Sequence, residues 1–373
     1  MTPNPDELYM QQAIDTAMRA WGDTHPNPMV GALIVKNDEV IAEGCHLRAG
    51  ESHAEVAAFM DLGFETCEDS TLYVTLEPCS THGRTGPCTE VIIESGIQRV
   101  VVGAIDPNPK HAGEGLTILR EAGIEVAHGV LAEECAEMNF IFNHAIVNDS
   151  PLMAGKVAMT MDGKIATRSS HSHWVTGTEA REDVMRWRRL FPAIAVGAGT
   201  LIADNPSLTA RLPGVDPFCH TRFVFDRQLL SVDHLDKQVF NDEWREKTVV
   251  ITQSDASPEG LQKLKDHGIV CWQPSIEPSE AFFHQFERKC LDLGINGVLV
   301  EGGSGLLSDL LAEKRLDYLL SYRAPKILAD DQALPAFRGI TPDKISDAIT
   351  LEEIKHTVFG PDVLTRGYIV YPE

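Results

Sequence analysis

No apolar run in this chain approaches the roughly 20 residues needed to span a bilayer. The opening stretch, MTPNPDELYMQQAID, has neither the basic nor the apolar segment of an export signal. Positive charge is scarce: 32 Lys and Arg stand against 55 Asp and Glu, a formal net charge of −23. Such a surface opposes long nucleic acids, whose grip depends on neutralising phosphates, but tolerates a small anionic ligand where arginines cluster. Internal repeats and low-complexity segments are absent, and so is a G-x-G-x-x-G turn after the first strand of the second half. These absences predict a cytoplasmic protein without membrane or nucleic-acid partners. In that compartment thiols stay reduced, and a cysteine pair more often means metal or catalysis than a disulfide.

What is present begins with length. For 373 residues with 43% hydrophobic content, two domains are the better expectation. Met10, Ala13, Ile14, Ala17, Met18 and Trp21 fall on one helical face. VGALIVK and VIAEG, joined at Asn37–Asp38, read as a hairpin. HAEVAAFMDLG, CTEVIIESG and GLTILREAG read as helices, and TLYVTLEP, RVVVGAID and IEVAHG as strands. The alternation predicts an α/β sheet covered on both faces. It breaks at NDSP, which sets the expected boundary between a domain at 1–148 and another at 149–373. The second half alternates again: strands at PLMAGKVAM, AIAVGAG, RFVFD, TVVIT, GVLVEGG and GYIVYPE, with a helix at VMRWRRL.

Two segments of the first half carry chemistry. His53-Ala54-Glu55 opens a predicted helix; downstream, Cys79 and Cys88 each follow a proline. His-x-Glu followed by Pro-Cys and a further Cys is the pattern of zinc deaminases. One imidazole and two thiolates hold Zn²⁺ and leave a fourth position open for water, while the glutamate moves protons without binding metal. Eight residues, Ser80 to Pro87, separate the cysteines, where the common signature has two. A structural zinc knuckle is the alternative; it needs a fourth ligand, which Cys45, His46 or His82 would have to supply. Cys67, Cys135, Cys219, Cys271 and Cys290 read as small buried hydrophobes.

In the second half, GVLVEGGSGLLSDLL (297–311) runs from strand through glycines into helix. Bare N–H groups at a helix start attract phosphates, although many such turns are only turns. Arg186, Arg188 and Arg189 on VMRWRRL are either a solvated face or a source of phosphate ligands.

HPNPMVG (25–31), GCHLRAGESHAE (44–55), TLEPCSTHGRTGPC (75–88) and AIDPNP (104–109) resemble the bacterial bifunctional riboflavin-biosynthesis deaminase-reductases. GKVAMTMDGKIAT (155–167), SHWVTG (172–177), AVGAGTLIADNPSLTAR (195–211), the glycine turn and YRAPKILA (322–329) extend the resemblance over nearly the whole chain. In that family the long cysteine spacer is normal, although proline usually stands where this chain has Gly86. The resemblance implies a cytidine-deaminase-like α/β/α sandwich followed by a dihydrofolate-reductase-like α/β domain, with Zn²⁺ and NADPH as cofactors. It implies phosphorylated pyrimidine substrates, and a homo-oligomer. Carried over by position, His53, Cys79 and Cys88 are metal ligands and Glu55 is catalytic; Asn27, His46 and Arg84 line the deaminase substrate site, the two cations suiting a phosphate. Ser172, Arg188, Leu208, Arg211 and Glu301 face the reductase substrate. Ala158, Trp174, Thr200, Asp204 and the turn Gly303, Ser304, Gly305, Leu306 and Leu307 meet the nucleotide. Arg227, just after RFVFD, is placed to meet the NADPH 2′-phosphate, and Lys156 or Glu301 to handle protons. Two rivals are a deaminase acting on a base in nucleic acid, which the charge disfavours, and a non-enzymatic zinc and nucleotide-sensing protein.

Overall fold

Asn4 caps the first helix, its side chain accepting from the Asp6 N–H at 3.2 Å, with Pro5 at the first helical position. From there the chain, a computed structural model describing residues 4–81, 86–274 and 281–372, divides by its contacts into Met1–Ser150 and Pro151–Glu373. The division falls two residues beyond the boundary expected at NDSP.

Unit 1 has strands β1 (Gly31–Lys36), β2 (Glu39–Cys45), β3 (Thr71–Leu76), β4 (Arg99–Ala104) and β5 (Glu125–His128) in the order β2-β1-β3-β4-β5. The hairpin β1–β2 turns through Asn37 and Asp38, both with positive φ, the backbone a two-residue turn of this hand demands. β3, β4 and β5 run parallel. Helices α2 (Ala54–Asp61), α3 (Cys88–Glu94) and α4 (Glu114–Glu121) pack on Ala32, Ile34, Leu72, Val74, Val100 and Val102. Alternate strand residues face the other way, where α1 (Pro5–Ala17) buries Met10, Ala13 and Ile14. A bidentate Arg99–Asp6 pair at 2.8 Å and the Tyr73 hydroxyl, donating to Asp6 at 2.8 Å, tie α1 to the sheet. Two glycines set how closely helices approach. A Cβ on Gly31 would lie 2.0 Å from the Ala13 carbonyl, and one on Gly44 would lie 2.3 Å from the Ala58 nitrogen and 2.4 Å from the Ala54 carbonyl. Gly44 therefore seats α2 directly on β2 and fixes the height of His53 and Glu55 above the sheet. Two further helices, α5 (Ala132–Met138) and α6 (Phe140–Asn148), for which the sequence pattern gives no expectation, close the unit.

Unit 2 contains a nine-stranded sheet in the order β11-β10-β9-β8-β12-β6-β13-β16-β15. Its strands are β6 (Leu152–Met159), β8 (Ala193–Gly197), β9 (Thr221–Phe225), β10 (Thr248–Ile251), β11 (Val270–Trp272), β12 (Gly297–Val300), β13 (Tyr318–Arg323), β15 (Thr350–Phe359) and β16 (Asp362–Val370); β7 (Lys164–Ala166) and β14 (Leu334–Pro335) pair separately. The strands from β11 to β13 are parallel, and their near-continuous apolar runs are those of a sheet buried on both faces. α7 (Thr178–Leu190), α8 (Ala198–Asp204), α9 (Gln238–Asn241), α10 (Pro258–Asp266), α11 (Phe282–Asp292) and α12 (Ser304–Ala312) supply the cover. Ala195, Phe223, Val249 and Val300 pack with α11 and α12, whereas Ile194, Val196, Val224 and Val250 meet Leu201, Phe240 and Leu264 from α8, α9 and α10. The antiparallel strand β15 was not anticipated. Its side chains are exposed on both faces, so hydrogen bonding to β16, not burial, holds it, and no period in hydrophobicity marks it. Within this sheet β8 and β12 lead into α8 and α12 on opposite faces, the arrangement that opens a crevice at the carboxyl ends of parallel strands. No described helix is long and apolar enough to cross a membrane.

Candidate functional site

In unit 1, His53 is the N-cap of α2, Cys79 follows β3, and Cys88 is the first residue of α3. Three separate elements thereby aim one nitrogen and two sulfurs at a common point, all within 4.8 Å of one another. His53 Nδ1 lies 3.2 Å from Cys88 Sγ and 3.5 Å from Cys79 Sγ, and the Cys88 N–H points at Cys79 Sγ at 3.3 Å. Cys88's thiol, hydrogen-bonded toward Cys79, draws the Cys79 thiol down to about 4, and that bond together with burial holds Cys88 up. A soft donor set of this size and composition fits a tetrahedral zinc, whose bonds to nitrogen and sulfur run about 2.0–2.3 Å. All eight cysteines are free thiols, so Cys79 and Cys88 form no disulfide. Neither Cys45 nor His46 joins the cluster, so among the described residues a fourth protein ligand is missing; His82 and Arg84 lie outside them. Glu55, in the first turn of α2, is buried beside the donors, and burial pushes its carboxyl up to about 7.

His46 departs from expectation. A cation for phosphate was anticipated, yet the ring is buried and burial lowers its pKa. Nδ1 lies 2.9 Å from the Ser52 carbonyl, which only accepts, so Nδ1 carries the hydrogen. Nε2 is then the acceptor for the Asn27 amide N–H at 3.0 Å, leaving the Asn27 carbonyl oxygen as an acceptor for a ligand. Sequence patterning did not reveal what holds this loop. Asn139, between α5 and α6, accepts from the Met29 N–H and donates to the Met29 carbonyl, both at 2.8 Å, and is buried. Glu77, before the first Pro-Cys, accepts from the N–H groups of Asp106, Gly113 and Gly115 at 3.1, 2.9 and 2.9 Å, anchoring the AIDPNP loop next to Cys79.

In unit 2 a cavity of about 890 Å³ opens at the carboxyl ends of β6, β8 and β12. It is lined by Lys156, Ala158, Ser172, Trp174, Arg188, Thr200, Asp204, Leu208, Arg211 and Glu301, and by the turn from Gly303 to Leu306. Leu307 belongs instead to the core, and Arg227 is elsewhere: its guanidinium pairs with Asp309 at 3.5 Å and lies over the Phe282 and Phe283 rings. Thr200 Oγ1 accepts from the Gly303 N–H at 2.9 Å and locks the turn onto α8.

Charge in this cavity is arranged around Glu301. Burial pushes its carboxyl up, but Arg188 and Lys156 override it and bring it down to about 2. Arg188 donates from Nε at 2.5 Å and Nη2 at 3.1 Å to the two carboxylate oxygens, and from Nη1 to the Thr209 carbonyl at 3.0 Å; Lys156 Nζ lies 3.4 Å from Glu301. Arg188 is thus bound up with Glu301, and Arg211, bonded to the Ser207 and Thr209 hydroxyls with no carboxylate partner among the described residues, is the freer guanidinium. Arg181 was not singled out from sequence, yet it stacks 4.6 Å over the Trp174 ring. Its signal was there: Arg181, Met185 and Arg188 stand at i, i+4 and i+7 on α7, and all three line the cavity.

Comparison with known proteins bears on both units. A family model described as the cytidine and deoxycytidylate deaminase zinc-binding region matches residues 3–104, and one described as the RibD C-terminal domain matches residues 151–365. A riboflavin biosynthesis protein RibD of Actinobacillus pleuropneumoniae is 38% identical over 364 residues, covering 98% of this chain and 95% of that protein. The solved structure of Acinetobacter baumannii RibD superposes with a TM-score of 0.82 at 33% identity, covering 98% of this chain and 99% of that one. The Thermotoga maritima structure described as a diaminohydroxyphosphoribosylaminopyrimidine deaminase/5-amino-6-(5-phosphoribosylamino)uracil reductase gives 0.82 and 33%, with 99% of each chain covered.

Proposed function

This chain belongs to the RibD family of bifunctional riboflavin-biosynthesis proteins, with a deaminase and a reductase domain, and on that premise we propose which groups carry each reaction. Residues 1–148 deaminate 2,5-diamino-6-(5-phosphoribosylamino)pyrimidin-4(3H)-one, and residues 149–373 reduce the ribosyl group of the resulting 5-amino-6-(5-phosphoribosylamino)uracil to ribityl, in the cytoplasm. The observation that carries the first assignment is the convergence of His53, Cys79 and Cys88 beside a buried carboxyl. These three residues would hold the zinc, which when bound supplies Lewis acidity toward a water at an open position. Glu55 carries one proton of the attacking water to the ring nitrogen and then the remaining hydroxyl proton to the departing amine, so that water and amine become oxo group and ammonia. Asn27, oriented by neutral His46, accepts a hydrogen bond from the substrate, and the family resemblance assigns Arg84, outside the described residues, to its phosphate.

For the reduction, Ala158, Trp174, Thr200, Asp204 and the turn from Gly303 hold NADPH, which when bound supplies the hydride. Ser172, Leu208 and Arg211 seat the substrate, with Arg211 on its phosphate. Lys156, an ammonium beside a fixed carboxylate, lends a proton to the ribose ring oxygen as the ring opens to an imine. Glu301, held near 2, stays anionic at neutral pH and orients Arg188 and Lys156 without donating a proton. Mass spectrometry of the diaminopyrimidinone ribotide incubated with zinc-loaded protein tests both halves. Amine-to-oxygen exchange is expected without NADPH, and a gain of two hydrogens only with it. Exchange without reduction would sink the assignment of residues 149–373, and no exchange by folded, zinc-bound protein would sink that of residues 1–148.

A further inference from the structure

Building on the reading that the cavity of unit 2 holds NADPH, we propose that Arg338 is an additional phosphate ligand of that cofactor, clamping it against the start of α12. Arg338 follows β14 in ALPAFRG, a segment with no sequence motif to flag it. Its backbone N–H donates to the Ser308 hydroxyl at 3.0 Å, which fastens this segment to α12. The guanidinium lines the cavity, and a Cβ placed on Gly305 would lie 3.5 Å from its Nη2. It makes no ion pair with any described residue.

What it faces is also positive. The first turn of α12 has no acidic residue and no side-chain cap. The N–H groups of Ser304, Gly305 and Leu306 have no acceptor within the helix, and the aligned peptide dipoles leave partial positive charge there. Ser304 adds a second and independent sign of a missing partner: the residue is 2% exposed and lines the cavity, and its hydroxyl is shielded from solvent without a hydrogen-bond partner. A cation beside a positive helix end, with an unsatisfied hydroxyl on the same turn, is an arrangement that an anion completes. A phosphate accepts from the backbone N–H groups and the hydroxyl on one side and from the guanidinium fork on the other. The phosphate is either the pyrophosphate or the 2′-phosphate of the dinucleotide, since both present the same oxygens.

The full-length protein and its Arg338→Ala and Arg338→Lys variants are titrated with NADPH and with NADH, following energy transfer from protein tryptophan to the nicotinamide, after thermal melting shows all three folded. Arg338→Ala is expected to raise the Kd for NADPH about 10- to 100-fold, the range for a lost hydrogen bond to a charged group, and Arg338→Lys to recover part of the loss. Equal losses for NADH and NADPH assign Arg338 to the pyrophosphate; a loss confined to NADPH assigns it to the 2′-phosphate. Either supports the inference. If the parent binds NADPH and Arg338→Ala binds it within about twofold, which at about 0.4 kcal/mol is no lost contact, the inference fails alone. If the parent binds neither nucleotide, it falls together with the reading of the cavity.

Discussion

Two glutamates buried in this chain stand at opposite ends of the carboxylate range. Glu55 is pushed up to about 7, and Glu301 is brought down to about 2. Burial raises both, so burial does not distinguish them; neighbours do. Glu301 has two cations within 3.4 Å, one of them a bidentate guanidinium with 11% of its side chain exposed. Glu55 has no Lys or Arg ion pair among the described residues; His53 pulls its pKa down and the Cys79 sulfur pushes it up, and burial prevails. A third case refines the rule. Glu287 is buried with a single cation, Arg315 at 3.2 Å, whose side chain is 33% exposed, and burial with Asp317 and Glu313 nearby still pushes it up to about 7. One half-solvated arginine does not offset desolvation, whereas two enclosed cations do. At neutral pH the first unit thus keeps a carboxyl near its titration point, and the second keeps one held anionic.

The largest expected effect comes from removing the exchangeable proton. Glu55→Gln should lower deamination by about 10²- to 10⁴-fold, measured as ammonia release, with zinc content by atomic absorption held at one per chain. Unchanged release would mean that Glu55 carries no proton and the contrast with Glu301 has no chemical meaning.

Next, Arg188→Met takes two of the three bonds from Glu301 and should convert it toward the Glu55 type. In the parent, the depressed pKa contributes stability that is present above the ordinary carboxylate value of 4.5 and lost as pH falls toward 2. In the variant the carboxyl is raised, so the sign reverses and stability falls as pH rises. The cost at pH 8 should be on the order of 3 kcal/mol by urea unfolding, shrinking near pH 5. A cost that does not vary with pH would show that packing, not charge, was lost.

The smallest effect concerns Glu287, whose folded pKa lies above its ordinary value of 4.5. Its contribution is complete below 4.5 and lost as pH rises through 7, so unit 2 should melt lower at pH 8.5 than at pH 5.5. Glu287→Gln, which mimics the neutral acid, should flatten that slope by an amount on the order of 1–2 kcal/mol. An unaltered slope in scanning calorimetry would place the titration elsewhere.

The first site was legible because its donors sit at element ends that the local pattern marks, and because His, Cys and Glu are rarely placed together without chemistry. What escaped was set by distant contacts. Nothing near His46 in sequence says that its ring is buried, so its charge was misread. Arg188 and Glu301 were both singled out, but 113 positions separate them and only the sheet order reveals that they bind each other. Arg227 sits at a strand end as expected of a nucleotide ligand, and no local pattern signals that Asp309 on α12, Glu313 at its C-cap and the phenylalanines of α11 lie beside it. The fold followed the same division: strands buried on both faces announced themselves, and the solvated β15 did not.

The clasp that Asn139 makes on Met29 bears on how far the two activities are separable. A fragment stopping at residue 104, where the zinc-binding family match ends, would retain Glu55 and all three sulfur and nitrogen donors. It would also lose the amide that anchors the Asn27 loop, along with both closing helices. Residues 105–148, which end with α6, lie inside the unit Met1–Ser150 and hold the Asn27 loop from beyond the end of that family match.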